Sequence, residues 1–292
     1  SSLFLVTDDQ KYIDFFNNCK LEKEISDNCY ITLSNCFEKD VKFNLTKKEA
    51  LKIIESKEIK EKDFIIRTNK DFYSFRNIVK EYINFKFIEN GVDIENISTT
   101  YIGPEVNIEK GTKITGDTHI YGKSCIGKNN LISSSYIENT NIKDDNKILN
   151  SHIVGAMIGC KNEIGPFCRM RGKAVIDNEC VLGNFVEIKS SNIKDHVKIK
   201  HLSYIGDTFI EKNVNIGCGF VTANYDGKRK YPTTIEENVF VGCNTTIVSP
   251  VTLKENCFIA AGSVITKDVE KNDLAIARSR QINKTNYVKQ KK

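Results

Sequence analysis

An aliphatic residue every five or six positions is the feature that most limits what this chain can fold into. The beat runs from Ile188 through Ile193, Ile199, Ile205, Ile210 and Ile216, then resumes at Ile235 and continues through Val241, Ile247, Leu253, Ile259 and Ile265. It is also present earlier, through Ile102, Ile108, Ile114, Ile120, Ile126 and Ile132, and through Ile158, Ile164, Met170, Ile176 and Leu182. A helix needs a period near 3.6 and a half-buried strand a period of 2. A period of six fits neither. It predicts a parallel β-helix, in which each short strand turns one aliphatic side chain inward and three strands complete a coil of roughly eighteen residues.

Two breaks in the beat carry information. Over residues 133–157 it weakens, which predicts distorted coils or a small bulge. Over residues 222–233 it stops, and the polar, basic run with Asp226-Gly227 and Pro232 must loop out of the stack. Loops on one face of a repeat protein are where function tends to sit.

The 17 glycines and 4 prolines all fall at or after Gly91. That shift separates an N-terminal unit, residues 1–69, from the repeats. The unit reads as a small α/β domain: strands near 3–7, 30–33 and 64–67, helices near 10–20 and 47–56, and an alternation favouring a partly parallel sheet. Residues 70–91 predict a connector helix with an apolar stripe of Phe72, Phe75, Val79, Tyr82 and Ile83 and a stop at Asn90-Gly91. The β-helix is expected over 92–269, followed by a basic tail, 270–292. The fold class is thus mainly β.

Composition excludes several functions. No run approaches the eighteen or so apolar residues of a membrane span, and the opening is too short and too soon acidic for a signal peptide; a soluble, cytoplasmic protein is expected. A net charge of +5 over 292 residues is too mild for nucleic acid but suits small anionic ligands. The 10 cysteines have no Cys-x-x-Cys pair. Cys168, Cys180 and Cys257 share one repeat position, four after the aliphatic, and read as core filler; no metal site is expected. A metal-dependent β-helix enzyme of the carbonic anhydrase type needs three histidines on adjacent coils, and His196 and His201 have no suitable third partner.

Among the four histidines, at 119, 152, 196 and 201, His201 stands out. It lies two residues after the inward Ile199, on an outward flank, with Lys189, Tyr204 and Asn215 within about one coil. Stacking is expected to bring a base, a phenol, an amide and a cation onto neighbouring walls of a groove.

The runs 165–171 (GPFCRMR), 183–189 (GNFVEIK), 200–207 (KHLSYIGD), 213–217 (NVNIG), 224–227 (NYDG) and 260–262 (AAG) closely resemble the acetyltransferase half of the bacterial bifunctional N-acetylglucosamine-1-phosphate uridylyltransferase/glucosamine-1-phosphate acetyltransferase family. The resemblance covers about residues 64–292, connector included. It implies a left-handed β-helix assembled as a homotrimer, with sites between subunits, that takes acetyl-CoA and a sugar phosphate. By motif, His201 takes the general-base position. Arg171, Lys189, Tyr204, Asn215 and Lys230 take sugar-phosphate positions. Cys218, Asn224, Tyr225, Cys243, Ala261 and Arg278 take positions lining acetyl-CoA, with Lys284 a further candidate there.

The implied chemistry needs such groups. An amine attacks a thioester only when unprotonated, so a histidine titrating near working pH suits the proton transfer. The tetrahedral oxyanion needs donors, for which backbone amides or Asn224 are candidates. The sequence departs from the family at Cys218 and Cys243, where a small residue and a serine are expected, and at Gly172-Lys173, where a Pro-Gly pair follows the arginine. The glycine-free first 90 residues also lack the phosphate-binding loop of the family's other half, so no uridylyltransferase activity is expected. The leading expectation is acetylation of glucosamine 1-phosphate. The alternatives are another free or nucleotide-linked amino sugar, or a non-catalytic trimeric scaffold.

Overall fold

The computed structural model describes Phe4–Val6, Tyr30–Thr32 and residues 69–288. The two short N-terminal strands pair antiparallel, Leu5 opposite Ile31; this pair therefore does not supply the parallel pairing expected of that unit. The unit's other predicted elements lie outside the described residues.

A helix, α1 (Asn69–Glu89), leads into the solenoid. It ends as its sequence predicts. Gly91 takes φ +87, the Val92 N–H donates to Phe87 O (3.0 Å) and the Gly91 N–H to Ile88 O (3.0 Å). This is a Schellman cap, which needs a residue that tolerates the left-handed region. Val79 and Ile83 are buried in the same apolar core as the first coils. The amide of buried Asn84 donates to Thr100 O (3.0 Å) and Ile97 O (3.3 Å). The helix thus packs on the start of the solenoid.

From Asp93 the chain is a left-handed parallel β-helix of about eleven coils. Its strands stack into three walls. The first holds Lys113–Thr115, Lys147–Leu149, Asn215–Ile216 and Phe240–Val241; the second holds Thr118–Tyr121, Arg169–Arg171 and Val221–Ala223; the third runs from Asn107–Ile108 to Val251–Leu253. Every aliphatic residue of the repeat is buried. Each contributes about 1.5–3 kcal/mol on burial. Successive coils pair in register, so aliphatic sits on aliphatic along each wall, as Ile188 does on Ile205.

The weak beat over 133–157 does not mark distortion. Those coils are regular but shorter: Ile132 pairs with Ile148, Ile137 with Ile153 and Ile142 with Ile158, 16 residues apart. Later coils take 18, as from Ile164 to Leu182, or 17, as from Ile199 to Ile216. The difference is absorbed at the corners, where one residue commonly adopts left-handed φ. Asparagine often serves there, as at Asn129, Asn139, Asn150, Asn213, Asn238, Asn244 and Asn256, since its short polar side chain tolerates this region best after glycine.

Inside the corners, polar residues form their own columns. Asn146 N–H donates to Asn130 Oδ1 (2.9 Å), Asn162 N–H to Asn146 Oδ1 (2.8 Å), and Cys180 N–H to Asn162 Oδ1 (2.8 Å), all buried. Cys168, Cys180 and Cys257 are core filler as expected, and burial pushes their thiols up to about 12, 12 and 11.

Two nine-residue strands, Val181–Lys189 and Lys198–Gly206, run across the corner between the first and second walls and join them into one sheet. The inserted loop is narrower than the break in the beat, since Thr222 and Ala223 belong to the strand before it and Thr233 to the strand after. It lengthens one coil to 25 residues, from Ile216 to Val241, without disturbing their pairing. At the far end Leu274–Ala275 pairs with Phe258–Ile259, so the stack extends past residue 269.

Candidate active site

The two corner-crossing strands carry Lys189, His201 and Tyr204 of the predicted site. On the second wall, register places Arg169, Glu187, Tyr204 and Val221 in one row and Arg171, Lys189 and Gly206 in the next. Neighbouring rungs lie ~4.8 Å apart, so Arg171, Lys189 and Tyr204 are brought together. The sequence reading missed Glu187 and Asp207. Arg171 donates to Glu187 Oε1 from both Nε and Nη2, each at 2.7 Å. Lys189, whose side chain is only 13% exposed, pairs with Asp207 Oδ2 at 3.5 Å. The same oxygen accepts from Asn224 Nδ2 at 2.6 Å.

Gly206 is the floor under this group. A Cβ there would stand 2.6 Å from Tyr204 Oη and 2.7 Å from Asn224 Nδ2, far inside contact distance. Only glycine lets the phenol and the amide converge.

Lys230 joins from the inserted loop, which Asp226 organises. Its Oδ1 accepts the N–H groups of Lys228 (2.7 Å) and Arg229 (2.6 Å), and its Oδ2 accepts Tyr231 Oη (3.0 Å). Those two backbone N–H bonds and the Tyr231 hydroxyl hold the Asp226 carboxyl below its usual range. The Lys230 amine lies against that of Lys189. That contact pushes Lys189 up, with Asp207 adding to the rise, and pushes Lys230 down, with repulsion from Lys189 adding to the fall. Three cations, Arg171, Lys189 and Lys230, face two carboxylates, Glu187 and Asp207. One positive charge is left over, which a phosphate would meet.

His201 lies at the edge of this wall, in register with Asn184. Its side chain is exposed. The other three imidazoles are engaged: His119 is bonded to Tyr121 Oη (2.9 Å) and Asp117 (3.0 Å), His152 is stacked on Tyr136, and His196 is paired with Glu179. Among the described residues no hydrogen bond, ion pair or ring contact holds the His201 imidazole.

His201 heads a column. It, Cys218, Cys243 and Ala261 each lie two residues beyond the stacked Ile199, Ile216, Val241 and Ile259. Corner hydrogen bonds confirm the stacking: Gly219 N–H to Leu202 O, Asn244 N–H to Cys218 O and Gly262 N–H to Cys243 O. Arg278 Cδ lies 3.8 Å from where a Gly262 Cβ would stand, so that side chain closes the column. Four rungs span about 14 Å, a strip suited to an extended thioester arm.

Three predicted residues fall elsewhere. Asn215 stands on the first wall, between Lys198 and Phe240, and not on the second with Tyr204. Tyr225 is exposed on the loop and donates to Gly227 O (2.7 Å). Lys284 is exposed in the tail beyond the last coil. At the Gly172-Lys173 replacement, Gly172 takes φ +69, which proline cannot adopt. Among the described residues no group of three His, Cys, Asp or Glu side chains is placed to hold a metal ion, and no helix is long and apolar enough to cross a membrane.

Residues 232–267 match the family model for bacterial transferase hexapeptide repeats. Over 212 residues, 72% of its length, the chain is 42% identical to a protein of Staphylococcus haemolyticus named bifunctional protein GlmU, covering 47% of that relative. It is 45% identical over 212 residues to the protein of the same name from Geobacillus sp. strain WCH70, covering 46% of it, and 42% identical over 215 residues to that of Clostridioides difficile, covering 47%. The chain thus spans about half the length of the curated relatives it matches.

Proposed function

On the premise that this chain is a hexapeptide-repeat acyltransferase homologous to the acetyltransferase half of GlmU, we propose that it transfers the acetyl group of acetyl-CoA to the amine of glucosamine 1-phosphate. The observation that carries this reading is the cation cluster of Arg171, Lys189 and Lys230, with its excess positive charge, beside the column headed by His201.

In this reading the phosphate is held by Lys189, Lys230 and Arg171, the last oriented by Glu187. Tyr204 Oη meets the sugar. The thioester lies along Cys218, Cys243 and Ala261, with Arg278 near its phosphates. The His201 imidazole removes a proton from the amine as nitrogen attacks the carbonyl. The tetrahedral intermediate's oxyanion takes a hydrogen bond from the Asn224 N–H not given to Asp207, or from backbone amides. Collapse forms the amide and expels CoA, with His201 returning the proton to sulfur.

We further propose a homotrimer with sites between subunits. Asn215 stands on the first wall and Lys284 in the tail, and a neighbour is the simplest way to complete the site. The corner beside His201 supports this. Phe167, Phe185 and Leu202 occupy successive rungs with φ of 61, 59 and 42 and are 55%, 58% and 60% exposed. Bulky residues held in a costly conformation to face outward favour a partner surface.

A different amino-sugar acceptor is the second reading, favoured by the Gly172-Lys173 replacement next to Arg171. The test is CoA release from acetyl-CoA with glucosamine 1-phosphate, glucosamine, glucosamine 6-phosphate or a UDP-linked amino sugar as acceptor, with His201→Ala as control. Release with glucosamine 1-phosphate, lost in the variant, is the expected result. Release only with another acceptor moves the assignment to the second reading, and silence with all four sinks both in favour of a scaffold.

A further inference from the structure

We infer that Asp207 is a positioning residue that couples the two halves of the site, the cations for the sugar phosphate and the amide for the thioester; this rests on the reading proposed above. One carboxylate oxygen serves both. Asp207 Oδ2 accepts from Asn224 Nδ2 at 2.6 Å and from Lys189 Nζ at 3.5 Å. Neither donor has an easy substitute. Asn224 is 5% exposed and the Lys189 side chain 13%, so an unpartnered amide or ammonium there lacks ready access to water.

The backbone fixes the carboxylate. Asp207 stands at the corner after the second wall with φ +50, and its N–H donates to Lys189 O at 2.9 Å. Its side chain therefore leaves the chain one rung above Lys189 and one below Asn224. The adjoining Gly206 leaves open the space that Tyr204 Oη and Asn224 Nδ2 enter. The arrangement also settles the amide's orientation. With nitrogen turned to the carboxylate, Asn224 presents its carbonyl oxygen and one remaining N–H to whatever occupies the site.

The consequence is a coupling of occupancy. A phosphate that draws the Lys189 ammonium leaves Asp207 to Asn224 alone, strengthening that charge-assisted bond and fixing the amide more firmly where the thioester reacts. Sugar phosphate and acetyl-CoA are then expected to bind with positive cooperativity, which by linkage is reciprocal.

Asp207→Asn and Asp207→Ala separate the two contacts. The Asn carbonyl still accepts from Asn224 but carries no charge for Lys189, while Ala loses both. For Asp207→Ala, KM for acetyl-CoA is expected to rise several-fold and kcat/KM for glucosamine 1-phosphate to fall about tenfold or more. For Asp207→Asn, KM for acetyl-CoA is expected within about twofold of the parent, with the sugar-phosphate defect retained. Thermal melting checks that the variants fold. In a double-mutant cycle read by CoA titration, Asp207→Ala and Asn224→Ala are expected to be non-additive. Additive effects, or a lowered melting temperature with both KM values and the cooperativity unchanged, overturn the inference. If the parent does not acetylate glucosamine 1-phosphate, the functional reading fails on its own, and the CoA cycle still decides the role of Asp207. No CoA binding by the parent overturns both.

Discussion

The corner between the first and second walls runs along the solenoid and is built differently in the coils around His201 than in the rest. In the first coils its left-handed position is held by Gly116, Ser134 and Asn150 and in the last by Gly219, Asn244 and Gly262; in the coils between it is held by Phe167, Phe185 and Leu202. The interiors do not differ in kind, since buried aliphatics stack along both. A left-handed bulky residue costs about 1–2 kcal/mol, and this chain accepts that cost at three consecutive rungs beside His201. Small residues hold this corner on either side of the His201 coil, and bulky ones hold it beside His201.

Changing residues in the two kinds of coil tests that contrast. The largest effect belongs to the histidines: His201→Ala is expected to lower kcat for acetyl transfer by about 10²–10⁴, and His152→Ala, on the same sheet, to leave it unchanged. Equal losses would mean that both act through the fold. Next, Ile137→Ala is expected to cost about 2–5 kcal/mol in denaturant unfolding, with activity per folded molecule retained because each coil touches only its neighbours.

Giving the coils around His201 the residue found at this corner on either side, Phe185→Asn, is expected to weaken assembly by about 2 kcal/mol per subunit, seen by light scattering as smaller species on dilution. Unchanged mass at every concentration would place the subunit contact elsewhere. A smaller effect comes with pH. Lys230 is held below the usual lysine range by its contact with Lys189, and a bound phosphate favours its charged form. KM for glucosamine 1-phosphate should therefore rise as pH climbs through that lowered value, and Lys230→Arg should flatten the rise. The smallest change is expected from Cys218→Ala with Cys243→Ala, which should leave acetyl transfer within about threefold; a loss of the order seen for His201→Ala would point to an acyl-cysteine route.

The interior was readable from the sequence because burial admits few side chains at each inward position, and Ile205 or Leu253 announce themselves by spacing alone. The connector helix was readable for the same reason, with Gly91 marking its end. The short coils were misread: a loss of one residue at a corner blurs a six-residue count while leaving Ile137 squarely over Ile153. The outer surface obeys no such rule. Arg171, Lys189 and Tyr204 were singled out through motif resemblance, and register explains why they meet. Glu187 and Asp207 escaped because an outward carboxylate looks like any solvated charge until its rung is known. Asn215 does stand on the wall next to that of Tyr204, but distance along the chain does not say which wall a residue occupies.

The buried asparagine column bears on how a chain of near-identical coils finds its order. A solenoid whose rungs are all aliphatic can stack one coil too early or too late at little loss, since isoleucine meets isoleucine either way. With Asn130, Asn146 and Asn162 in sequence, each capping the backbone of the next, a slipped stack strands amides against hydrocarbon at several kcal/mol apiece. The column thus works as an address written inside the molecule, penalising a mis-stacked coil wherever it takes an amide out of line.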